Sequence, residues 1–122
     1  MLFRSNIVNV SSIIARTSAT SSLQSGSLTA ILTNTAASNH VYKINSVTVA
    51  NRSLTTNVPI DLTIQSASTD YYLGKSIVVP ASSSVILVGK ENAVYLEEGV
   101  SIRGLAYSTG SLDVVIGYED LS

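Results

Sequence analysis

Cysteine and tryptophan are both absent from this chain of 122 residues. Without cysteine there is no disulfide framework, no thiolate zinc site and no cysteine nucleophile. Charged residues are also scarce, at 12% of the chain, about half the usual share. A protein that works as an isolated monomer normally carries more surface charge than this. The scarcity of charge, together with the many Ser and Thr residues, therefore favours a subunit whose surface is partly covered by neighbours.

Acidic residues are missing from the whole first half of the sequence, up to Asp61. The charged residues before that point are all basic, namely Arg4, Arg16, Lys43 and Arg52. Two interpretations fit this distribution: chance in a charge-poor chain, or a mildly basic N-terminal segment that meets an acidic neighbour. The formal net charge of -1 is unlike the basic stripe of a nucleic-acid-binding domain, so no nucleic acid is expected as a partner.

The N-terminal segment lacks a long apolar run. Its first residues, MLFRSNIVNV, are too short and too polar to predict a signal peptide or a membrane span, so we expect synthesis in a cytoplasm and no membrane partner. Residues 11–27 are rich in Ser, Thr, Ala and Gly and show no fixed apolar period. The sequence thus predicts an extended arm or long loop over residues 1–27 and a folded domain over residues 28–122.

The clearest pattern in the chain is strict alternation over residues 58–65, where Val58, Ile60, Leu62 and Ile64 alternate with polar residues and Pro59. A side-chain period of two predicts a strand with one buried face and one face in water. A buried face needs a partner sheet. Residues 41–50 and 112–118 are the candidates for that second layer.

Two further strands carry specific predictions. In residues 41–50 the apolar positions change parity between Ile44 and Val47. A strand changes faces only through an extra residue, so we expect a bulge near Asn45 and Ser46 or a strand covered on both sides. The unbroken apolar run at residues 85–88 predicts a central strand that is covered on both faces.

The C-terminal part of the chain also follows strand and turn patterns. Residues 108–111 predict a tight hairpin turn, residues 112–118 the last strand, and residues 119–122 a tail in solvent. In total we expect about eight short strands and no long helix. The predicted fold is all-β, a single antiparallel β-sandwich of the jelly-roll-like kind with an N-terminal arm.

Few residues are candidates for catalysis. His40 is the only histidine and lies in a polar turn, where a solvent-exposed role is the better interpretation. Asp61 is expected on the wet side of its strand, with Asp70 in a turn, while Glu97 and Glu98 are adjacent and point to opposite faces. No calcium loop or nucleophile elbow is present. We expect no catalytic residue, no metal ligand and no cofactor.

The tyrosines are the other candidates for function. Flat aromatic rings suit sugar stacking, although carbohydrate modules usually add Trp. Tyrosine is equally common at protein interfaces, where the ring is buried and the hydroxyl finds a partner. Interface or core is the favoured role, with sugar binding left open, for Tyr71, Tyr72, Tyr95, Tyr107 and Tyr118.

Three segments together resemble a known group of proteins. They read VYKINSVTVANRS (41–53), SIVVPASSSVILVGKENAVYLEEGVSIRG (76–104) and GSLDVVIGYEDLS (110–122). The shared elements are a strand ending in an Ala-Asn pair, a Val-Pro-Ala turn, a Tyr-Leu-acidic-acidic-Gly turn and an apolar strand before an acidic tip. On these segments the chain is similar to small virion structural proteins of tailed phages, especially contractile-tailed phages of cyanobacteria.

The resemblance covers roughly two thirds of the chain and implies a β-sandwich present in many copies on a virion assembled in the host cytoplasm. We expect a non-enzymatic subunit that associates with itself, as a trimer or larger ring, and with another virion protein of the capsid or tail. Capsid decoration is favoured. The alternatives are a neck, tail, baseplate or fibre-base component, a host-glycan-binding module and, least favoured, a small hydrolase. The expected interface residues are Phe3, Arg4, Ile7, Val8, Ile13, Ile14, Arg16, Leu23, Tyr71 and Tyr72.

Overall fold

A computed structural model describes residues 11–92, 94–108 and 110–122 of the chain. These residues form nine strands and one short 3-10 turn at Lys90–Asn92. In chain order the strands are β1 (Ile13–Thr20), β2 (Thr29–Thr33), β3 (Val41–Asn51), β4 (Val58–Ser66), β5 (Thr69–Val79), β6 (Ser84–Val88), β7 (Val94–Leu96), β8 (Ser101–Ala106) and β9 (Leu112–Leu121). Among these residues no helix has the length and apolar character needed to cross a membrane.

The strands form two antiparallel sheets that pack face to face. The five-stranded sheet has the order β1-β9-β3-β6, and β7 also pairs with β3. The four-stranded sheet has the order β2-β8-β4-β5. The prediction of a single all-β antiparallel sandwich is therefore confirmed, with nine strands where about eight were expected.

Alternating aliphatic residues from both sheets fill the space between the layers. β9 contributes Leu112, Val114 and Ile116, each 0% exposed, which confirms the predicted inward face of the last strand. β4 contributes Val58, Ile60 and Leu62 in the same way. Each such side chain, when fully buried, contributes roughly 1.5–3 kcal/mol through removal of apolar surface from water.

The predicted bulge in β3 is confirmed. The pairing of β3 with β9 runs Ile44 to Tyr118 and then Ser46 to Gly117, so Asn45 is the extra residue. Because one residue is inserted, Ile44 and Val47 both point into the core although their sequence parities differ, and both are 0% exposed.

The polar side of β4 differs from its prediction. Asp61 is 1% exposed and Thr63 is 0% exposed, although both alternate with core residues and point away from the core. The expectation of a wet face is therefore wrong at these positions. Long side chains from the neighbouring strands lie across them, as described below for the candidate site.

The apolar run of β6 also differs from its prediction. β6 pairs with β3 on one side only and is an edge strand. Ile86 lies opposite Thr48 and is 68% exposed. An unbroken apolar run was expected to be covered on both faces, but burial depends on how many partners a strand finds, which local sequence does not state.

The connection before β9 is not a hairpin. β8 ends at Ala106 in the four-stranded sheet and β9 begins at Leu112 in the five-stranded sheet, so these two consecutive strands lie in different layers. The predicted solvent tail is also wrong, because β9 continues to Leu121 and Asp120 is only 4% exposed. The predicted hairpin at residues 108–111 is therefore wrong, because the layer change depends on which strands pair.

The described part of the predicted arm is built into the sandwich. Residues Ile13–Thr20 form β1, which pairs with β9 over its whole length. Leu23 is 2% exposed within the core, and its N–H donates to the Leu112 carbonyl at 2.8 Å. This corrects the expectation of a separate arm for residues 11–27, since β9 supplies the partner that a polar, aperiodic segment lacks on its own. Residues 1–10 lie outside the described residues.

Two buried asparagines hold the loops at the ends of the strands. The Asn34 amide donates to the carbonyls of His40 and Leu96 at 2.8 and 2.9 Å. The Asn51 amide donates to the carbonyls of Thr56 and Val79 at 2.8 and 3.0 Å. These amide groups donate hydrogen bonds to backbone carbonyls that would otherwise have no donor in the irregular segments.

Candidate interaction surface

The outward face of the four-stranded sheet carries the densest group of polar and aromatic side chains among the described residues. Asp61 points outward because it alternates with Ile60 and Leu62, and Thr63 lies opposite both Tyr72 and Arg103. Residues that are directly opposite in antiparallel strands share a face. We call this surface the tyrosine face, and it consists of Asp61, Thr63, Asp70, Tyr72, Lys75, Ser76, Arg103 and Tyr107.

Asp61 is the centre of the tyrosine face. Its Oδ1 accepts hydrogen bonds from the Ser76 backbone N–H at 2.8 Å and from the Tyr107 hydroxyl at 3.0 Å. Its Oδ2 accepts from Lys75 Nζ at 3.0 Å. Burial alone would raise the pKa of Asp61, but these three donors favour the carboxylate and the net pKa is lowered. Asp61 is therefore a buried, ionised acceptor.

Irregular pairing between β4 and β5 brings the donors to Asp61. Ile60 pairs with Ile77 and Leu62 pairs with Gly74, so β5 contains one residue more than β4 between these pairs. Ser76 at this bulge has a φ of 54°, an uncommon value for a residue with a side chain. The bulge turns the Ser76 N–H towards Asp61 rather than into the regular ladder.

Two tyrosine rings flank the Lys75 ammonium. Lys75 Nζ lies 5.2 Å from the Tyr72 ring centre and 5.9 Å from the Tyr107 ring centre, within the range of cation–π attraction. Tyr72 is 51% exposed and Tyr107 is 44% exposed. Two partly exposed aromatic rings therefore lie close to one positive charge.

The protonation states limit what this group does chemically. Hydrogen bonds to Asp61 and Tyr107 raise the pKa of Lys75, so its amine stays protonated at neutral pH. A protonated amine does not accept a proton from a hydroxyl such as that of Ser76, which lies 2.7 Å from the Tyr107 hydroxyl. Lys75 therefore does not serve as a proton acceptor for the Ser76 hydroxyl.

A second ion pair extends the tyrosine face along the sheet. Arg103 Nη1 lies 3.1 Å from Asp70 Oδ2, and its Nη2 donates to the Leu28 carbonyl at 2.8 Å. Asp70 also accepts from the Thr63 hydroxyl at 3.0 Å. Arg103 thereby ties the start of β5 to the segment before β2, and it lies directly opposite Thr63.

The ten predicted interface residues do not form one surface. Tyr72 belongs to the tyrosine face, whereas Tyr71 lies opposite Ile64 on the other side of β5 and is 61% exposed. Ile13, at 65%, and Ile14, at 42%, are exposed on β1. Leu23 is a core residue, so its predicted interface role is wrong in this fold. The remaining predicted residues are Arg16, described next, and Phe3, Arg4, Ile7 and Val8, which lie outside the described residues.

Arg16 and His40 meet at Asp120, away from the tyrosine face. Arg16 Nε donates to Asp120 Oδ2 at 3.0 Å, and His40 Nδ1 contacts Asp120 Oδ1. The His40 side chain is 37% exposed. The histidine that was expected to be solvent-exposed is therefore half-buried, and its ring contacts the Asp120 carboxylate. The cluster joins β1, the loop before β3 and the end of β9.

A shallow groove lies at the other end of the five-stranded sheet. It is open to solvent, has a volume of about 450 Å³ and is lined by residues 50–52, Leu54 and residues 82–84. Leu54 is 84% exposed at its rim. Arg52 beside it is held by Asp113 and by the Gly110 carbonyl, at 3.1 and 2.6 Å.

Comparison with known proteins adds no name to this surface. No protein-family model matches the sequence, and no curated protein matches it.

The sequence pattern singled out Tyr72, Tyr107 and Asp61 as separate candidates but did not indicate Lys75 or Ser76, and it did not indicate that these residues meet. Asp61, Lys75, Ser76 and Tyr107 are brought together only by strand pairing. One local signal was present, because an isolated glycine within a strand pattern, here Gly74, often marks a bulge. A bulge next to a lysine and a serine indicates that their backbone groups need partners outside the ladder.

Proposed function

We propose that this protein is a non-enzymatic structural subunit of a tailed-phage virion, which associates with copies of itself and attaches to another virion protein. The favoured place is the capsid exterior, as a decoration subunit. The sequence resemblance supplies the virion context. The all-β sandwich is consistent with that context, and the surface of the molecule supports a role in contacts between proteins.

The observation that carries the proposal is the distribution of exposed apolar side chains on a charge-poor molecule. Single exposed hydrophobic residues are normal, but here they occur at the edges and faces of both sheets. With charged residues at only 12%, little on this surface opposes association. The large hydrophobic side chains exposed by half or more are Ile13, Leu54, Tyr71, Tyr72, Val78, Ile86 and Tyr95.

The charge arrangement at Asp61 supports a structural role. Lys75 is held in its protonated form and Asp61 in its ionised form, which stabilises the bulge in β5 without offering a proton acceptor to Ser76. The mechanism we propose is burial of surface at joints between subunits, which raises the work needed to separate them. Attachment to the second virion protein is assigned to the N-terminal segment with Phe3, Arg4, Ile7 and Val8.

The test is association and placement on the particle. Light scattering of the purified full chain over a range of concentrations should show a trimer or larger ring. Imaging of particles carrying a tagged copy should show the label in many places on the capsid. A chain that stays monomeric at high concentration and is absent from particles contradicts the proposal, and a label confined to the tail supports the alternative placement in the neck, tail or baseplate.

One observation favours a second candidate function, a host-glycan-binding module. Tyr72 and Tyr107 are both about half exposed on either side of Lys75, and exposed tyrosine rings suit stacking against pyranose sugars. Glycan-array binding by the wild-type protein that disappears in Tyr72→Ala, with an unchanged circular dichroism spectrum, would support this function over the purely structural one.

A further inference from the structure

The four edges of the two sheets are not protected equally. Edge strands expose unpaired backbone groups, and proteins usually block them with bulges, charges, proline or short length. β2 and β6 have only five residues each, and β2 has a register shift. β5 is long but carries two register shifts and Lys75. These three edges are poor templates for another strand.

Within the described residues, β1 has only one of these protections, the charge of Arg16. It is eight residues long, contains neither proline nor lysine, and pairs with β9 in an unbroken register from Ile13 to Thr20. Its one charge, Arg16, is directed to Asp120 of the same chain at 3.0 Å. β1 is therefore a long, regular and nearly neutral edge.

The hydrogen-bond pattern shows which groups point outwards from β1. Ser12 and Ser122 exchange both backbone hydrogen bonds, at 2.9 and 3.0 Å. In an antiparallel ladder such pairs alternate with pairs that exchange none. The N–H and C=O groups directed away from β9 on β1 are thus those of Ile13, Ala15, Thr17 and Ala19.

We infer that β1 is the joint between two copies of this chain, which pair through β1 in an antiparallel, two-fold symmetric ladder centred on Thr17. In this register Ala15 of one copy faces Ala19 of the other, and Thr17 faces Thr17 through outward-directed backbone groups. The two five-stranded sheets then form one continuous sheet. This inference rests on the self-association in the proposed function and names one of its joints. A two-fold joint closes on two copies, so a larger ring needs a second joint on another surface.

Charge decides the register. A ladder centred on Arg16 would place two guanidinium groups directly opposite each other, which destabilises a strand pair. Centring on Thr17 places Arg16 opposite Ser18, Ile14 opposite Thr20 and threonine opposite threonine. Ile13 and Ile14, exposed at 65% and 42%, then gain cover from the second copy. The neutral, self-complementary edge favours a second copy over a charged partner.

The absence of cysteine in the sequence allows a direct test with single-cysteine variants of the full chain. Paired residues across a ladder have Cα atoms about 5.5 Å apart, within the range that a disulfide spans. Under mild oxidation, or with a short bismaleimide, Thr17→Cys should form a covalent dimer at least tenfold faster than the controls. The controls are Ser18→Cys, which lies out of register on the other face, and Thr55→Cys in an exposed loop. Equal rates for all three variants would overturn the inference.

A second measurement uses charge at the edge. Thr17→Lys should raise the dissociation constant for self-association at least tenfold, whereas Thr55→Lys adds the same charge in an exposed loop and should leave it unchanged. Unchanged association in Thr17→Lys overturns the β1 joint and leaves the proposed function standing. If the wild-type protein is monomeric at every concentration, the self-association in the proposed function fails and the joint fails with it. If Thr17→Lys leaves self-association unchanged but prevents incorporation into particles, the β1 edge contacts a different virion protein. That result also overturns the β1 joint.

Discussion

Asp61 illustrates how a charged residue is kept on the outward face of a sheet without contact with water. Its carboxylate is 1% exposed and accepts from a backbone N–H, a hydroxyl and an ammonium group. Lys75 is itself 59% exposed, so the free-energy cost of removing a charge from water falls on Asp61 and not on Lys75. Loss of Asp61 would leave the Ser76 N–H without its acceptor, and the Tyr107 hydroxyl with only the Ser76 hydroxyl as an acceptor.

We predict that Asp61→Asn lowers the free energy of unfolding at pH 7 by roughly 1–3 kcal/mol, the usual effect of removing one partner of a buried hydrogen-bonded group. Because the folded-state pKa of Asp61 is below its ordinary value of 3.8, its stabilisation is present above that pH and is lost as the pH falls through the folded pKa. Urea unfolding at several pH values should therefore show wild type and variant converging in acid. Lys75→Met, which removes only the exposed donor, should have a smaller effect at pH 7. Parallel pH profiles for wild type and Asp61→Asn would contradict this assignment.

At the scale of the strands, bulges and turns determine which side chains meet. The extra Asn45 in β3 allows Ile44 and Val47 to share the core, and the bulges in β5 place Lys75 and Ser76 at Asp61. The hairpin between β4 and β5 has two central residues, Ala67 and Ser68, with φ values of 51° and 65°. Both are in the left-handed region, as a type I′ turn requires, but neither is a residue that favours it.

We predict that the double substitution Ala67→Asn and Ser68→Gly raises the free energy of unfolding by about 1 kcal/mol, since left-handed backbone costs an ordinary residue roughly 1–2 kcal/mol. The measurement is the urea midpoint with an unchanged slope. As a control, Thr55→Gly introduces glycine at an exposed loop residue without positive φ. It should stabilise nothing, because glycine there only increases the entropy of the unfolded chain. A destabilised double variant would show that the turn is not of this type.

At the scale of the whole molecule, residues 11–33 are part of the fold. β1 completes the five-stranded sheet, and Leu23 closes the core between the two layers. A Cβ at position 104 would lie 2.7 Å from Ile31 Cδ1 and 3.3 Å from Leu23 Cδ2, so these two side chains pack against Gly104 at a distance that only glycine permits. The sandwich therefore extends over more of the chain than residues 28–122.

We predict that deletion of residues 1–27 abolishes cooperative unfolding, because it removes the whole β1 ladder and Leu23. Loss of a buried leucine side chain alone costs roughly 2–5 kcal/mol, a large fraction of a small domain's stability. Deletion of residues 1–10 should retain cooperative unfolding, since β1 begins at Ile13. Thermal unfolding followed by circular dichroism tests both. A cooperative transition after removal of residues 1–27 would show that these residues form a separate arm.

The sequence by itself determined what depends on near neighbours: the alternating inward faces of β4 and β9, the bulge at Asn45 and the all-β class. It did not determine which strands are edges, why Ile86 is exposed, or how residues 13–20 become a strand. Tertiary structure decided these features, because burial and strand pairing depend on partners far apart in the chain. Asp61 shows the same limit, since its position in the pattern indicated a wet face while Lys75, Ser76 and Tyr107 exclude water from it.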